Sequence, residues 1–167
     1  MKAFLSIIDQ ISDWSGKIFS FLWIAVIIII VVEVIRRYGF NSPTTYGHEI
    51  TTFLCAVVYI LGGAYTLYLR GHVSVDIIYN RFSPRGQALL DVITFPAFIV
   101  FIVILLWSGF DRAWGATMIQ ETSGSPWNPP VYPFLLTIPL GALLVLLQGL
   151  AKFIRDLSMV IRGKELA

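Results

Sequence analysis

Residues 18–32 read IFSFLWIAVIIIIVV, a run of fifteen residues without a charge, nine of them Ile or Val. As a helix rising 1.5 Å per residue and continued to Tyr38, it is long enough to cross a hydrocarbon core of about 30 Å. Three further charge-free stretches follow, at 50–69, 92–110 and 122–151. Across all 167 residues the hydrophobic share is 57%, the charged share 13% and the mean hydropathy +0.79. An average soluble domain carries about 25% charged residues, so this chain has too little polar surface to cover itself in water. The sequence predicts an all-α integral membrane protein, a single domain over residues 1–167. Its four transmembrane helices are expected at about 18–38, 49–69, 89–110 and 134–153. What remains is two termini and three connections, none longer than about 20 residues, which leaves no room for a soluble catalytic domain.

The flanks carry the topology. Of twelve Lys and Arg, nine lie in the N-terminal segment, the 70–87 connection and the C-terminal tail, against Arg36, Arg37 and Arg112 on the other side. The positive-inside rule then places both termini in the cytoplasm. The N-terminal residues Phe4, Ile7, Ile8, Ile11, Trp14 and Ile18 recur at helical spacing. They suggest either a helix lying at the interface or an extension of the first span that packs on another helix. Val75, Ile78, Tyr79 and Phe82 repeat the amphipathic pattern and predict a second interfacial helix. Ser83 and Pro84 read as an N-cap and a first-turn proline opening the third helix, which continues beyond Phe110 without a breaker until Ser123 and Gly124. The four prolines of 123–133 (SGSPWNPPVYP) make a rigid extended loop, with Trp127 and Tyr132 suited to an aromatic belt. Thr52, Ala56 and Gly63, with Gly62 and Ala64 beside them, predict a close-packing face on span two. No removable signal peptide is read at the N-terminus, and the two hairpins differ too much for an inverted-repeat core.

A carboxylate inside a span is by default a functional candidate, and Glu33 is the sharpest one here. Arg36 and Arg37 follow it by three and four residues, so an intrahelical pair near the outer interface is the preferred reading over a proton or cation relay. Arg36, Arg37 and Glu49 bracket the first hairpin and are expected to pair across it. His72 and Asp76 share a helix face, but two ligands do not make a metal site, and His48 lies on the opposite side of the membrane. Those two histidines cannot hold a haem between helices either. The single Cys55 excludes a disulfide framework or a CxxC pair. Ser74, Ser108 and Ser123 have no activating histidine, no pair of carboxylates is set for acid and base roles, and GxxxxGK[ST] is absent. The expectation is no enzyme, no cofactor in this chain and no nucleic-acid partner.

Several of these segments together resemble the small membrane subunit, DctQ-like, of tripartite ATP-independent periplasmic (TRAP) transporters, over nearly the whole chain. The matching features are Arg36 and Arg37 closing span one, and Tyr46 and Glu49 opening span two. Gly71-His72-Val73-Ser74-Val75-Asp76 is the most specific of them; the 123–133 loop and Ile138-Pro139-Leu140-Gly141 complete the set. Tyr46 departs from the family pattern, where tryptophan is frequent. The resemblance implies a bacterial or archaeal cytoplasmic-membrane subunit that braces a large multi-span elevator subunit. A periplasmic solute-binding protein then delivers an organic acid, and a sodium gradient is used through the large subunit. On the same basis Arg36, Arg37, Tyr46 and Glu49 would set the outer hairpin and His72 and Asp76 the cytoplasmic turn. Arg112, Glu121 and Trp127, within 111–130, would belong to a periplasmic face for the binding protein. The rival is a self-sufficient homodimeric carrier in which Glu33 binds a proton, and a weaker one is a redox-enzyme anchor; membrane lipid surrounds the chain in every case.

Overall fold

A computed structural model describes residues 2–69, 79 and 82–163. Helix α1 spans Lys2–Ser20 and α2 Leu22–Val34, the latter ending in a π-helical turn, Ile35–Gly39. Next come α3 (Gly47–Tyr68), α4 (Pro84–Met118), the single turn α5 (Tyr132–Leu135) and α6 (Thr137–Arg162). Among the described residues the only β pairing is one antiparallel bridge, Thr122 to Pro130. Four helical stretches, Phe4–Gly39, Gly47–Tyr68, Pro84–Met118 and Tyr132–Ile161, are long and apolar enough to cross a membrane. In α2 the β-branched run carries low intrinsic helix propensity, but in lipid the backbone has no partner except itself, and that outweighs a few tenths of a kcal/mol per residue.

The ends follow local chemistry. Ser83 is extended and its hydroxyl accepts from the Gly86 amide at 3.3 Å, with Pro84 in the first turn, as the sequence predicts. At the other end α4 stops at Met118, short of Ser123. Gln120 turns left-handed (φ 48°), its amide bonding the Thr117 carbonyl and that of Glu121 the Ala116 carbonyl. This double capping closes the helix without glycine, which is why no breaker marks it in the sequence. Between α1 and α2 the Phe21 amide reaches back three residues, to the Ile18 carbonyl at 3.2 Å, and the Ser20 hydroxyl bonds the Lys17 carbonyl.

The helices form a row. Helices α1 and α2 lie along α3, α3 along α6, and α6 along α4, and the first half of α1 also crosses onto α6, where Leu5 and Ile8 meet Ala151. Burial agrees with that order: only 6% of the most apolar window is buried in the first span and in α4, against 17% in α3 and 28% in α6. The result is an open plate with the first span and α4 at its opposite ends, not a closed four-helix bundle.

Small residues set the spacing of the row. At the α3–α6 crossing a Cβ on Gly141 would sit 2.7 Å from the Ile60 carbonyl oxygen, so the two backbones nearly touch. Gly16 accepts the Tyr65 side chain in the same way at the α1–α3 contact. Aromatic pairs fill the remaining gaps: Phe53 on Phe134 (4.3 Å between centroids) and Phe95 on Phe153 (4.0 Å). The predicted packing face of α3 needs correction. Gly63 does meet Val145 on α6, but Thr52 is exposed and Gly62 faces open space. Because α3 is flanked on two sides, its buried residues beyond Gly47 in the first turn are Val58, Leu61 and Ala64.

Helix α1 packs on the row, the second of the two alternatives its periodicity left open. Leu5, Ile8, Ser12 and Ser15 turn inward, whereas Phe4, Ile7, Ile11, Trp14 and Ile18 face out. All of the predicted apolar stripe except Ile8 thus faces away from the protein, and the inward side combines the contact of Leu5 and Ile8 with Ala151 with a serine that partners Gln148 on α6. The predicted interfacial helix around 75–82 falls mostly outside the described residues.

Candidate functional site

Polar side chains gather at the two ends of the plate. At the hairpin end Glu33 is held from two sides. Its Oε1 accepts from Arg37 Nη2 at 2.9 Å; its Oε2 accepts from the Thr44 amide at 3.2 Å and from the Thr44 hydroxyl. That hydroxyl also accepts from the Gly47 amide at 3.0 Å, so one threonine ties the carboxylate in α2 to the first turn of α3. A Cβ on Gly47 would lie 2.6 Å from Thr44 Oγ1 and 2.9 Å from Glu33 Oε2, which explains the glycine. The cavity beside this cluster, about 320 Å³ and lined by Ile30, Glu33, Arg37 and His48 among others, sits between α2 and α3 at the margin of the row. A carrier needs its carboxylate in a central cavity; here it is engaged at one edge.

The expected pairing of Arg36 with Glu49 is corrected. Among the described residues no ion pair joins them: Arg36 Nε donates to the Ser42 carbonyl at 3.2 Å, and Glu49 Oε2 accepts from the Ser125 hydroxyl at 2.7 Å. The hairpin is short enough for Arg36 to satisfy its own loop, and Glu49 is taken by a residue 76 positions away. The losses from Arg36→Ala and Glu49→Ala are therefore expected to add in a double-mutant cycle of complex assembly, with a coupling energy within about 0.5 kcal/mol of zero. Thr44→Ala should cost about 1 kcal/mol in detergent unfolding, since it removes a cap and half of the grip on Glu33.

Glu49 is where the proline-rich loop docks. Ser125 Oγ also accepts from the Ser123 hydroxyl (2.9 Å) and the Asn128 amide (3.0 Å), and the Trp127 ring lies 6.0 Å from Tyr46. The Ser123 amide bonds the Pro129 carbonyl and the Val131 amide bonds that of Glu121, so the loop folds back on itself instead of running extended. Arg112, near the end of α4, clamps Glu121 through two bonds of 2.6 and 2.7 Å. The hydrogen bonds from Arg112 hold the Glu121 carboxyl below the usual glutamate range against the opposing effect of burial, and the Arg112 charge adds a lesser pull in the same direction. With the folded value lowered, the contribution of the clamp is complete above the ordinary glutamate range and is lost as pH falls through the lowered value. Hydrogen exchange in 119–131 should stay flat from neutral pH to about pH 5 and rise, after correction for intrinsic rates, only below about pH 4.

The terminal end holds a second network, which sequence reasoning missed. Arg155 grips Asp9 through bonds of 2.5 and 3.2 Å. Gln148, 2% exposed, donates to Asp9 Oδ1 at 3.1 Å and accepts from the Ser12 hydroxyl at 2.8 Å. Next to it Lys152 pairs with Asp91 on α4 and with Asp156 at 2.9 Å, and the Tyr79 hydroxyl donates to Asp91 at 2.7 Å. Arg85 caps the last turn of α6 through the Val160 carbonyl. A lone amide in an apolar span, Gln148, was the readable signal, because polar groups in lipid seek partners on neighbouring helices. His72 and Asp76 lie outside the described residues. Among the described residues no buried side-chain polar atom lacks a partner, and no group of three or more His, Cys, Asp and Glu is placed to hold a metal.

The family model for tripartite ATP-independent periplasmic transporters, DctQ component, matches residues 26–159. A "Putative TRAP transporter small permease protein" of Haemophilus influenzae is 37% identical over 67 residues, 40% of this chain and 42% of that protein. The C4-dicarboxylate TRAP transporter small permease protein DctQ of Vibrio cholerae is 26% identical over 125 residues, 70% of this chain and 54% of that protein. The sialic acid TRAP transporter permease protein SiaT of Haemophilus influenzae is 26% identical over 103 residues, 62% of this chain but 16% of that much longer protein. The matches thus span about half or less of the length of these relatives.

Proposed function

The chain belongs to the DctQ family of tripartite ATP-independent periplasmic transporters, and on that basis we propose that it is the small scaffold subunit of a sodium-driven system for organic acids. It braces a large elevator subunit in the cytoplasmic membrane, with both termini in the cytoplasm, and it helps to dock a periplasmic binding protein. Sodium and substrate are bound in the large subunit. The observation that carries this reading is the architecture: an open plate of helices, with polar networks at its two ends and Glu33 engaged by Arg37 and Thr44. Such a plate offers a broad surface to a partner, and among the described residues no line of polar side chains joins its two ends. The bias of nine Lys and Arg against three supports the orientation. SiaT, in which a match to this chain occupies only 16% of the length, supports a large membrane partner.

The test is uptake of a radiolabelled carboxylate into proteoliposomes. Uptake should need this chain, the large subunit, the binding protein and an inward sodium gradient together; uptake by this chain alone would overturn the proposal. Glu121→Arg, which sets two cations against each other at the clamp, should slow uptake at subsaturating binding protein and leave the complex assembled. An unchanged dependence on binding-protein concentration would remove the loop from docking.

A further inference from the structure

A cavity of about 570 Å³ runs along the seam between α4 and α6, within the size range of small-molecule sites. Its α4 wall extends from Pro84 to Ile102. That is about 27 Å of helix, or about 25 Å along the membrane normal at a typical tilt of about 20°, one bilayer leaflet with its headgroup layer (about 20 Å) and a little more. The lining changes character along this length. At the terminal end it is polar, with Gln87, Asp91, Lys152 and Asp156. Towards the membrane centre it is apolar and aromatic, with Phe95, Phe98, Phe101 and Val145, and the Phe98 ring lies over Gly149. Thr94 and Phe101 are exposed, so the groove opens sideways, where lipid surrounds the plate.

We infer that this groove holds one phospholipid from the leaflet on the side of the chain ends, with an acyl chain on the phenylalanines and a zwitterionic headgroup at the mouth. The mouth presents both signs of charge, the Lys152 ammonium beside the Asp91 and Asp156 carboxylates, which complements a headgroup carrying a phosphate and an ammonium. The polar-to-apolar gradient along a single leaflet fits a lipid, whereas a partner's transmembrane helix would be apolar over both leaflets. A lipid seated there would fill the seam between the two helices that pack most extensively in the plate.

The test begins with the full chain reconstituted in vesicles of equal parts phosphatidylethanolamine and phosphatidylglycerol, extracted in mild detergent and weighed by native mass spectrometry. One phosphatidylethanolamine per chain should survive detergent washing that strips the rest. Val145→Trp, which fills the apolar half, should lower retention about tenfold, and Ile104→Trp, on the exposed side of α4, should leave it unchanged. No retained phosphatidylethanolamine, phosphatidylglycerol in its place, or equal retention by V145W overturns the inference. As a check that does not depend on the folding of V145W, a benzophenone amino acid at Thr94 is irradiated in native membranes. A lipid-mass adduct supports the site; a cross-link to another polypeptide, or no adduct, overturns it.

Discussion

Arg155→Ala is expected to destabilise the folded protein by about 2–4 kcal/mol in a detergent unfolding titration followed by circular dichroism. The guanidinium holds α6 to α1 through two bonds to Asp9, and the two side chains are 24% and 22% exposed. An ordinary hydrogen bond between membrane helices contributes only about 0.6 kcal/mol, which by itself would make the change mild. Two effects raise it. The bond is bidentate and charge-assisted, and the alanine leaves the half-buried Asp9 side chain with the Gln148 amide as its remaining partner. Asp9→Ala should cost less, since an arginine stem can carry its head toward water. The double variant should show a coupling of about 1–3 kcal/mol. A loss under about 0.5 kcal/mol for Arg155→Ala would mean that the terminal network only decorates a plate held by apolar packing.

The second large effect is a glycine pair with opposite signs. Gly141→Ala places a Cβ 2.7 Å from the Ile60 carbonyl oxygen and 3.0 Å from its carbonyl carbon. Backbone cannot swing aside as a side chain can, so α3 and α6 must separate, at or beyond the roughly 1–3 kcal/mol typical of overpacked cores. Gly62→Ala, on α3, meets nothing within 4 Å and should be neutral or stabilising by up to about 1 kcal/mol through the loss of glycine's backbone freedom. The same unfolding titration reads both variants. Equal effects would show that α3 and α6 are not in the close contact described.

Those two predictions also mark how far the sequence reaches. Spans are legible because a charge-free run of fifteen or more residues is rare outside lipid, and the Ser83-Pro84 start is legible because cap chemistry is local. The pairing of Glu33 with Arg37, one helical turn away, is legible for the same reason. Long-range partners are not. Glu49 bonds a serine 76 residues on, and Asp9 an arginine 146 residues on, and no spacing rule reaches that far. The inward side of α1 is hidden for a physical reason as well. In water an apolar stripe marks the buried face, but in a membrane the outside is apolar too, so periodicity fixes the helix and leaves its facing open. The row order is hidden likewise, since nothing in four apolar spans says which ones lie at the edges. The family resemblance rests partly on 71–76, outside the described residues, and the match over 26–159 supports it independently.

A plate that braces something larger should carry that partner with it through gentle extraction. The chain should be tagged at its C-terminus, extracted gently from its native membrane and purified, and the copurifying proteins identified and counted by mass spectrometry. A large multi-span membrane protein in a one-to-one ratio is the predicted result. Recovery of a pure homodimer would contradict the scaffold role and return Glu33 to the centre of a carrier.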